Sequence, residues 1–296
     1  MGSSRASACR WLPIAVGSLL GLALIARVVF WDVVERIWLR LQFRGRYESF
    51  RLNADHVDDT FVLHVCLPRG YDATQGYPVV YVLDGDSDAL PMAGVVAHVG
   101  VAAIVVGVGY GRAEEDARER DYTPFVAPEI DWAPSGSGAA FYGFLTEELF
   151  PEVEARYPTL GADHRVLAGH SLAGLATVYA LLRDADAQRN LAGYIAASPT
   201  LPLADGEIFA LERDLAETKA ERRGALFLSV GGRESAEMQE AMTDLAAIFR
   251  RRGYPGLTVR MKVRRGRGHG GNNWRSYIDG VRWMGALGIL DAGKVE

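Results

Sequence analysis

The chain has 296 residues, 49% of them apolar and 23% charged. That is enough to bury a large core, and it excludes a disordered, collagen-like or disulfide-scaffold protein. With 32 Lys and Arg against 37 Asp and Glu the formal net charge is -5, so the chain as a whole carries no electrostatic footprint for nucleic acid. Two cysteines, Cys9 and Cys66, cannot build a thiolate metal site, and the six scattered histidines contain no H-x-x-x-H pair. No metal or organic cofactor is expected.

The first segment reads as an address. Residues 1–10 carry Arg5 and Arg10 without an acid, and Trp11 to Ala26 is apolar and uncharged. Leu24 and Ala26 match a signal-peptidase site poorly, so an uncleaved anchor is the first reading and a cleaved signal peptide the second. The apolar run reaches spanning length if Arg27 snorkels, and Trp11, Phe30, Trp31 and Trp38 suit an interfacial belt. Residues 1–46 are therefore expected to be anchor and juxtamembrane tether. The globular domain, 47–296, is then periplasmic or otherwise outside the cytoplasm.

After Tyr47, β-rich runs alternate with helical patterns, which predicts an α/β fold with a mostly parallel sheet and helices on both faces. Strands are predicted at 61–67, 78–84, 102–109, 165–169, 194–198, 225–230 and 257–263. Helices are predicted around 139–156, 172–184, 207–221, 236–252 and 273–287. Residues 110–138, with the charged run RAEEDARERD, three prolines and APSGSG, read as a long excursion without regular structure.

The strongest local signal is Gly169-His170-Ser171-Leu172-Ala173-Gly174, a G-x-S-x-G directly after a strand and directly before a helix. Such a turn exposes the serine hydroxyl above the sheet, with a helix N-terminus beneath a developing oxyanion. A nucleophilic serine needs a base and the base an acid, in the chain order Ser, Asp or Glu, His. His269 is the only histidine after Ser171, in a glycine-rich loop behind the last strand. Glu234, the first carboxylate beyond the end of strand 225–230, is the candidate acid, and Asp205 is the alternative. The oxyanion hole is expected from the N–H of Leu172 and the N–H of Asp86, or else Gly85, in the turn Asp84-Gly85-Asp86. The carboxylates of Asp84 and Asp86 are expected to serve the turn, because either would repel an oxyanion.

PVVYVLDGD, RERDYTP, GHSLAGL, AASPTL, SVGGRE and GHGGNNW, in this order between Tyr47 and Leu287, resemble the esterase D-like α/β-hydrolases. They look most like the branch of the periplasmic trilactone-siderophore esterases and the enterochelin esterases. The resemblance implies the α/β-hydrolase fold, Ser171 as nucleophile, His269 as base and Glu234 at the acid position. Where related sequences carry a Trp-rich stretch, this chain reads Thr200-Leu201-Pro202-Leu203. Arg118, Arg120 and Tyr122 in the excursion, and Arg267 just before His269, are the candidate substrate contacts, since arginine forks suit anionic oxygens. The expected activity is serine-dependent hydrolysis of carboxylic esters through an acyl-enzyme, with the lactones of a catecholate siderophore as candidate substrates. A general small-acyl carboxylesterase, or an acyltransferase on the same fold, is the alternative.

Overall fold

The computed structural model describes residues 42–111, 117–184, 189–218 and 222–291. Of the predicted anchor and tether, 1–46, residues 1–41 lie outside the described residues. Among the described residues no helix is long and apolar enough to cross a membrane.

An eight-stranded sheet in the order β1-β2-β4-β3-β5-β6-β7-β8 organises the domain. β1 (Tyr47–Ala54) and β2 (Asp59–Cys66) form an antiparallel hairpin, and β2 pairs antiparallel with β4 (Ile104–Gly109). From there on every pairing is parallel, through β3 (Val79–Leu83), β5 (Arg165–His170), β6 (Gly193–Ala197), β7 (Gly224–Gly231) and β8 (Leu257–Arg264). The apolar runs VVYVL and IVVGVG are buried at every position, as strands covered on both faces must be. Cys66, at the end of β2, is buried, and burial pushes its thiol up to about 12. It is a small apolar side chain here and nothing more.

The helices are α1 (Gly85–Val99), α2 (Ala117–Tyr122), α3 (Gly138–Gly143) running through a π-helical turn (Phe144–Leu149) into α4 (Phe150–Arg156), α5 (Leu172–Arg183), α6 (Leu203–Glu217), α7 (Ala236–Arg252) and α8 (Asn273–Ala286). The chain leaves β3 toward β4 on one side, and β5 lies on the other. That reversal opens a crevice at the carboxyl ends of β3 and β5, the place where open parallel sheets bind ligands.

Two elements were not anticipated. α1 has no clear apolar stripe in its first half and carries Pro91 inside it, so periodicity does not announce it. β1 is a strand with mostly half-exposed or exposed residues, held by pairing with β2 and not by burial. The reading of 110–138 as structureless is corrected in part. α2 lies inside that stretch, with Asp121, Tyr122 and Thr123 fully buried. Thr123 closes the loop that follows: its Oγ1 accepts from Gly136 N at 2.7 Å and its carbonyl from Gly138 N at 2.9 Å. These two bonds satisfy backbone N–H groups that would otherwise be left without a partner.

The β5–α5 junction depends on the absence of a side chain. A Cβ on Gly169 would stand 2.2 Å from the carbonyl oxygen of Ala173 in the first turn of α5. Gly169→Ala is expected to destabilise the domain by about 2–4 kcal/mol in chemical unfolding, since backbone atoms cannot step aside as a flexible side chain can.

Candidate active site

β5 delivers Ser171 to the top of the sheet with φ 61 and ψ -123, and α5 begins at the next residue. An L-residue held there carries strain of about 1–3 kcal/mol and persists only when its surroundings fix it. They do so at both ends of the residue. Ser171 N donates to Ala197 O at the end of β6 at 3.0 Å, and its carbonyl accepts from Leu175 N and Thr200 N. The side chain therefore projects outward, with Oγ 3.3 Å from Thr200 Oγ1 and 3.0 Å from His269 Nε2.

His269 opens a short turn, His269–Gly271, between β8 and α8. Its Nδ1 lies 2.7 Å from Glu234 Oε2. An ionised carboxylate only accepts, so Nδ1 carries the proton and Nε2 is left to accept from the serine hydroxyl. Glu234 follows β7 through a tight turn and its side chain is only 2% exposed. Its other oxygen, Oε1, accepts from Ser198 Oγ at 2.7 Å and from Gly231 N at 2.5 Å. Both oxygens are thus engaged, and the carboxylate cannot rotate away from the imidazole. Asp205, the alternative acid, stands in a run of left-handed residues, Ala204–Gly206, at the start of α6. Glu234 is the carboxylate at hydrogen-bond distance.

Four residues complete the arrangement that the motifs alone did not single out. His170, directly before the nucleophile, donates from Nε2 to the His269 carbonyl at 3.0 Å, and the two rings lie 4.6 Å apart. Burial, and then the neighbouring His269, depress its pKa below the ordinary value, so it stays neutral beside the base. Asn272 donates from Nδ2 to Ser198 Oγ at 2.7 Å, which fixes the hydroxyl that holds Glu234. Ser198 itself has φ 44 and is fully buried, and Thr200 touches Ser171. The blocks AASPT and GHGGNNW carried all but His170, yet nothing in their spacing tells which hydroxyl or amide meets the acid.

Across the crevice, β3 ends in Asp84-Gly85-Asp86. Asp84 adopts φ 56, and its carbonyl accepts from Ser87 N and Asp88 N, which starts α1. The N–H groups of Gly85 and Asp86 precede these and lie outside the helical ladder, as does that of Leu172 at the start of α5. Gly85 packs so tightly on β4 that a Cβ would meet Gly107 C and Val108 N at 2.4 Å. The Asp86 carboxylate is drawn away to the β2 side, onto His64 Nε2 at 2.8 Å, Tyr110 N at 2.8 Å and Gly111 N at 3.0 Å. Burial alone would raise its pKa, but these bonds outweigh burial and hold it below the usual carboxylate value.

Three of the four candidate substrate contacts are committed inside the protein. Arg118 grips the Asp84 carboxylate with Nε at 2.6 Å and Nη2 at 3.0 Å. Arg120 binds Asp121 and, through Nη2, Asp59 at 2.6 Å. Tyr122 is fully buried, and its Oη accepts from Asp84 N at 3.0 Å. Arg267 is exposed beside the histidine turn. On edge strand β8, Lys262 and Arg264 both pair with Asp279. They are charges that guard a sheet edge.

Residues 56–278 match the esterase family described as "Putative esterase". The chain belongs to that esterase family. It is 33% identical over 160 residues to the ferri-bacillibactin esterase BesA of Bacillus subtilis (strain 168), covering 48% of this chain and 54% of that protein. It is 28% identical over 168 residues to a siderophore triacetylfusarinine C esterase of Aspergillus fumigatus, covering 52% of this chain and 56% of the relative. The chain thus spans about half the length of these curated relatives. Among solved structures, an IroE-like serine hydrolase from Shewanella oneidensis superposes with a TM-score of 0.71 at 25% identity, covering 80% of this chain and 79% of its own. The fold of this esterase-family chain is the α/β-hydrolase fold.

Asp88, one turn into α1, carries a carboxyl raised to about 6, first by burial and then by the Asp84 charge, with Tyr277 Oη donating to it at 3.2 Å. A carboxyl whose folded pKa exceeds its unfolded one holds its proton more firmly in the fold. Its ionisation therefore costs stability as pH rises from the ordinary aspartate value of about 3.9 through about 6, and the cost is complete above that window. Asp88→Asn is expected to stabilise the protein at pH 7.5 by on the order of 1–2 kcal/mol, with the gain shrinking toward pH 4. Thermal melts of both proteins across that range check it.

Proposed function

We propose that this protein is a serine esterase that opens carboxylic esters of a siderophore by an acyl-enzyme mechanism. The observation that carries the reading is the relay from Glu234 Oε2 to His269 Nδ1 at 2.7 Å and from His269 Nε2 to Ser171 Oγ at 3.0 Å. Ser171 Oγ attacks the ester carbonyl while His269 Nε2 takes its proton, and Glu234 stabilises the imidazolium that forms. The N–H of Leu172 and those of Gly85 and Asp86 bind the tetrahedral oxyanion. His269 then gives its proton to the leaving alcohol. Water enters by the same route, with His269 as base, and frees the acid. Every charge that develops is met by a group already on the protein, so these steps run without a metal or cofactor. Two relatives named as siderophore esterases support the substrate class. The arginine-bearing and apolar features of residues 1–46 support tethering outside the cytoplasm, with residues 47–296 as the catalytic domain, where such esters would be met.

The test uses the protein and its Ser171→Ala and Glu234→Gln variants with a neutral p-nitrophenyl ester, a cyclic tricatecholate trilactone, and a fluorophosphonate. Wild type is expected to label once, on Ser171, and to open the trilactone to linear products seen by mass spectrometry. Ser171→Ala is expected to lose both, and Glu234→Gln to lower kcat by about 10²–10⁴-fold. Turnover of the neutral ester with an intact trilactone would refute the siderophore assignment. Absence of Ser171 labelling would refute the esterase.

A further inference from the structure

Asp84 is a difficult neighbour for ester chemistry. It forms the first corner of the turn whose N–H groups the proposed mechanism assigns to the oxyanion, and its side chain is 22% exposed. Its charge reaches His170, next to the nucleophile, and Asp88. The tetrahedral intermediate places a full negative charge against this same turn, and a bare carboxylate there would oppose it. The structure puts a guanidinium on that carboxylate. Arg118 holds both oxygens, Nε on Oδ1 at 2.6 Å and Nη2 on Oδ2 at 3.0 Å, and its own charged form is strongly favoured by Asp84 despite burial. The guanidinium lies 5.4 Å over the ring of Tyr122, and Tyr122 Oη accepts the Asp84 N–H at 3.0 Å. One short helix thus fixes both the backbone and the side chain of Asp84.

We propose that Arg118 is a positioning residue for the reaction, acting through Asp84: it neutralises and immobilises the Asp84 carboxylate so that the turn presents N–H groups, and no net negative charge, to the oxyanion. The inference rests on the esterase reading of the same site. A structural ion pair would stabilise the fold without preferring the transition state, and a substrate contact would act on binding. Neutralisation of Asp84 acts on the chemical step.

The experiment compares Arg118→Gln, Arg118→Lys, Asp84→Asn and the double variant Asp84→Asn/Arg118→Gln. Each is read for kcat and KM on a neutral ester, for the rate of Ser171 phosphonylation by a fluorophosphonate, and for thermal unfolding. Arg118→Gln is expected to lower kcat and the phosphonylation rate by about tenfold or more, with KM changed by less than about twofold. Arg118→Lys keeps the charge and is expected to restore part of the loss. The double variant is expected to recover most of it, because a neutral amide leaves no charge to offset. A double variant as slow as Arg118→Gln would overturn the proposal, as would a raised KM with unchanged kcat. If Arg118→Gln alone does not fold, the comparison of Asp84→Asn with the double variant decides: a large further loss on removing Arg118 overturns the proposal, and a small one supports it. Wild type that phosphonylates on Ser171 but turns over no ester would sink the esterase reading while leaving the labelling comparison intact.

Discussion

The backbone of Ser171 is the constraint on which the rest of the site depends. Its strained φ of 61 turns the chain from β5 into α5 within one residue, and that sharpness aims Oγ out of the sheet. The strain is offset by groups from elsewhere in the fold, Ala197 O from β6 and Thr200 N from the loop beyond it. Nucleophile geometry is therefore a property of three neighbouring segments at the carboxyl edge of the sheet. The same loop carries Ser198, which holds the acid, so nucleophile and acid are referenced to one short stretch of chain.

Rigidity is distributed unevenly over the triad. Ser171 and Glu234 are each fixed by several hydrogen bonds, and Glu234 is sealed from solvent. His269 lies in a turn flanked by glycines and its side chain is 44% exposed. Its carbonyl is tied down by His170, and its ring by the two residues it connects. Two fixed walls with a base suspended between them suit a group that must face Ser171 while accepting a proton and the leaving alcohol while returning it.

Much of this arrangement could be read from the chain. Continuous apolar strands, helical spacing in α7 and α8, and a G-x-S-x-G between strand and helix are local signals, and local signals survive without a structure. Glu234 was reachable because β7 ends just before it. The roles of Arg118, Arg120 and Tyr122 were not, because an arginine's partner is set by tertiary packing. The sequence shows a cluster of cations in a loop, and the fold shows that two of them neutralise Asp84, Asp59 and Asp121. α1 was hidden for a related reason. Its helix is specified by the turn at Asp84 and by contact with the sheet more than by its own periodicity.

The spacing of the site along the chain has a consequence for how activity emerges during synthesis. Ser171 and His269 are 98 residues apart, and Glu234 precedes His269 by 35. Contacts of such long range form late, after the intervening strands have paired. A nascent polypeptide that has emerged only through α7 holds the elbow and the acid but no base. The relay stays incomplete until β8 has added itself to the sheet edge and Asn272 has reached Ser198.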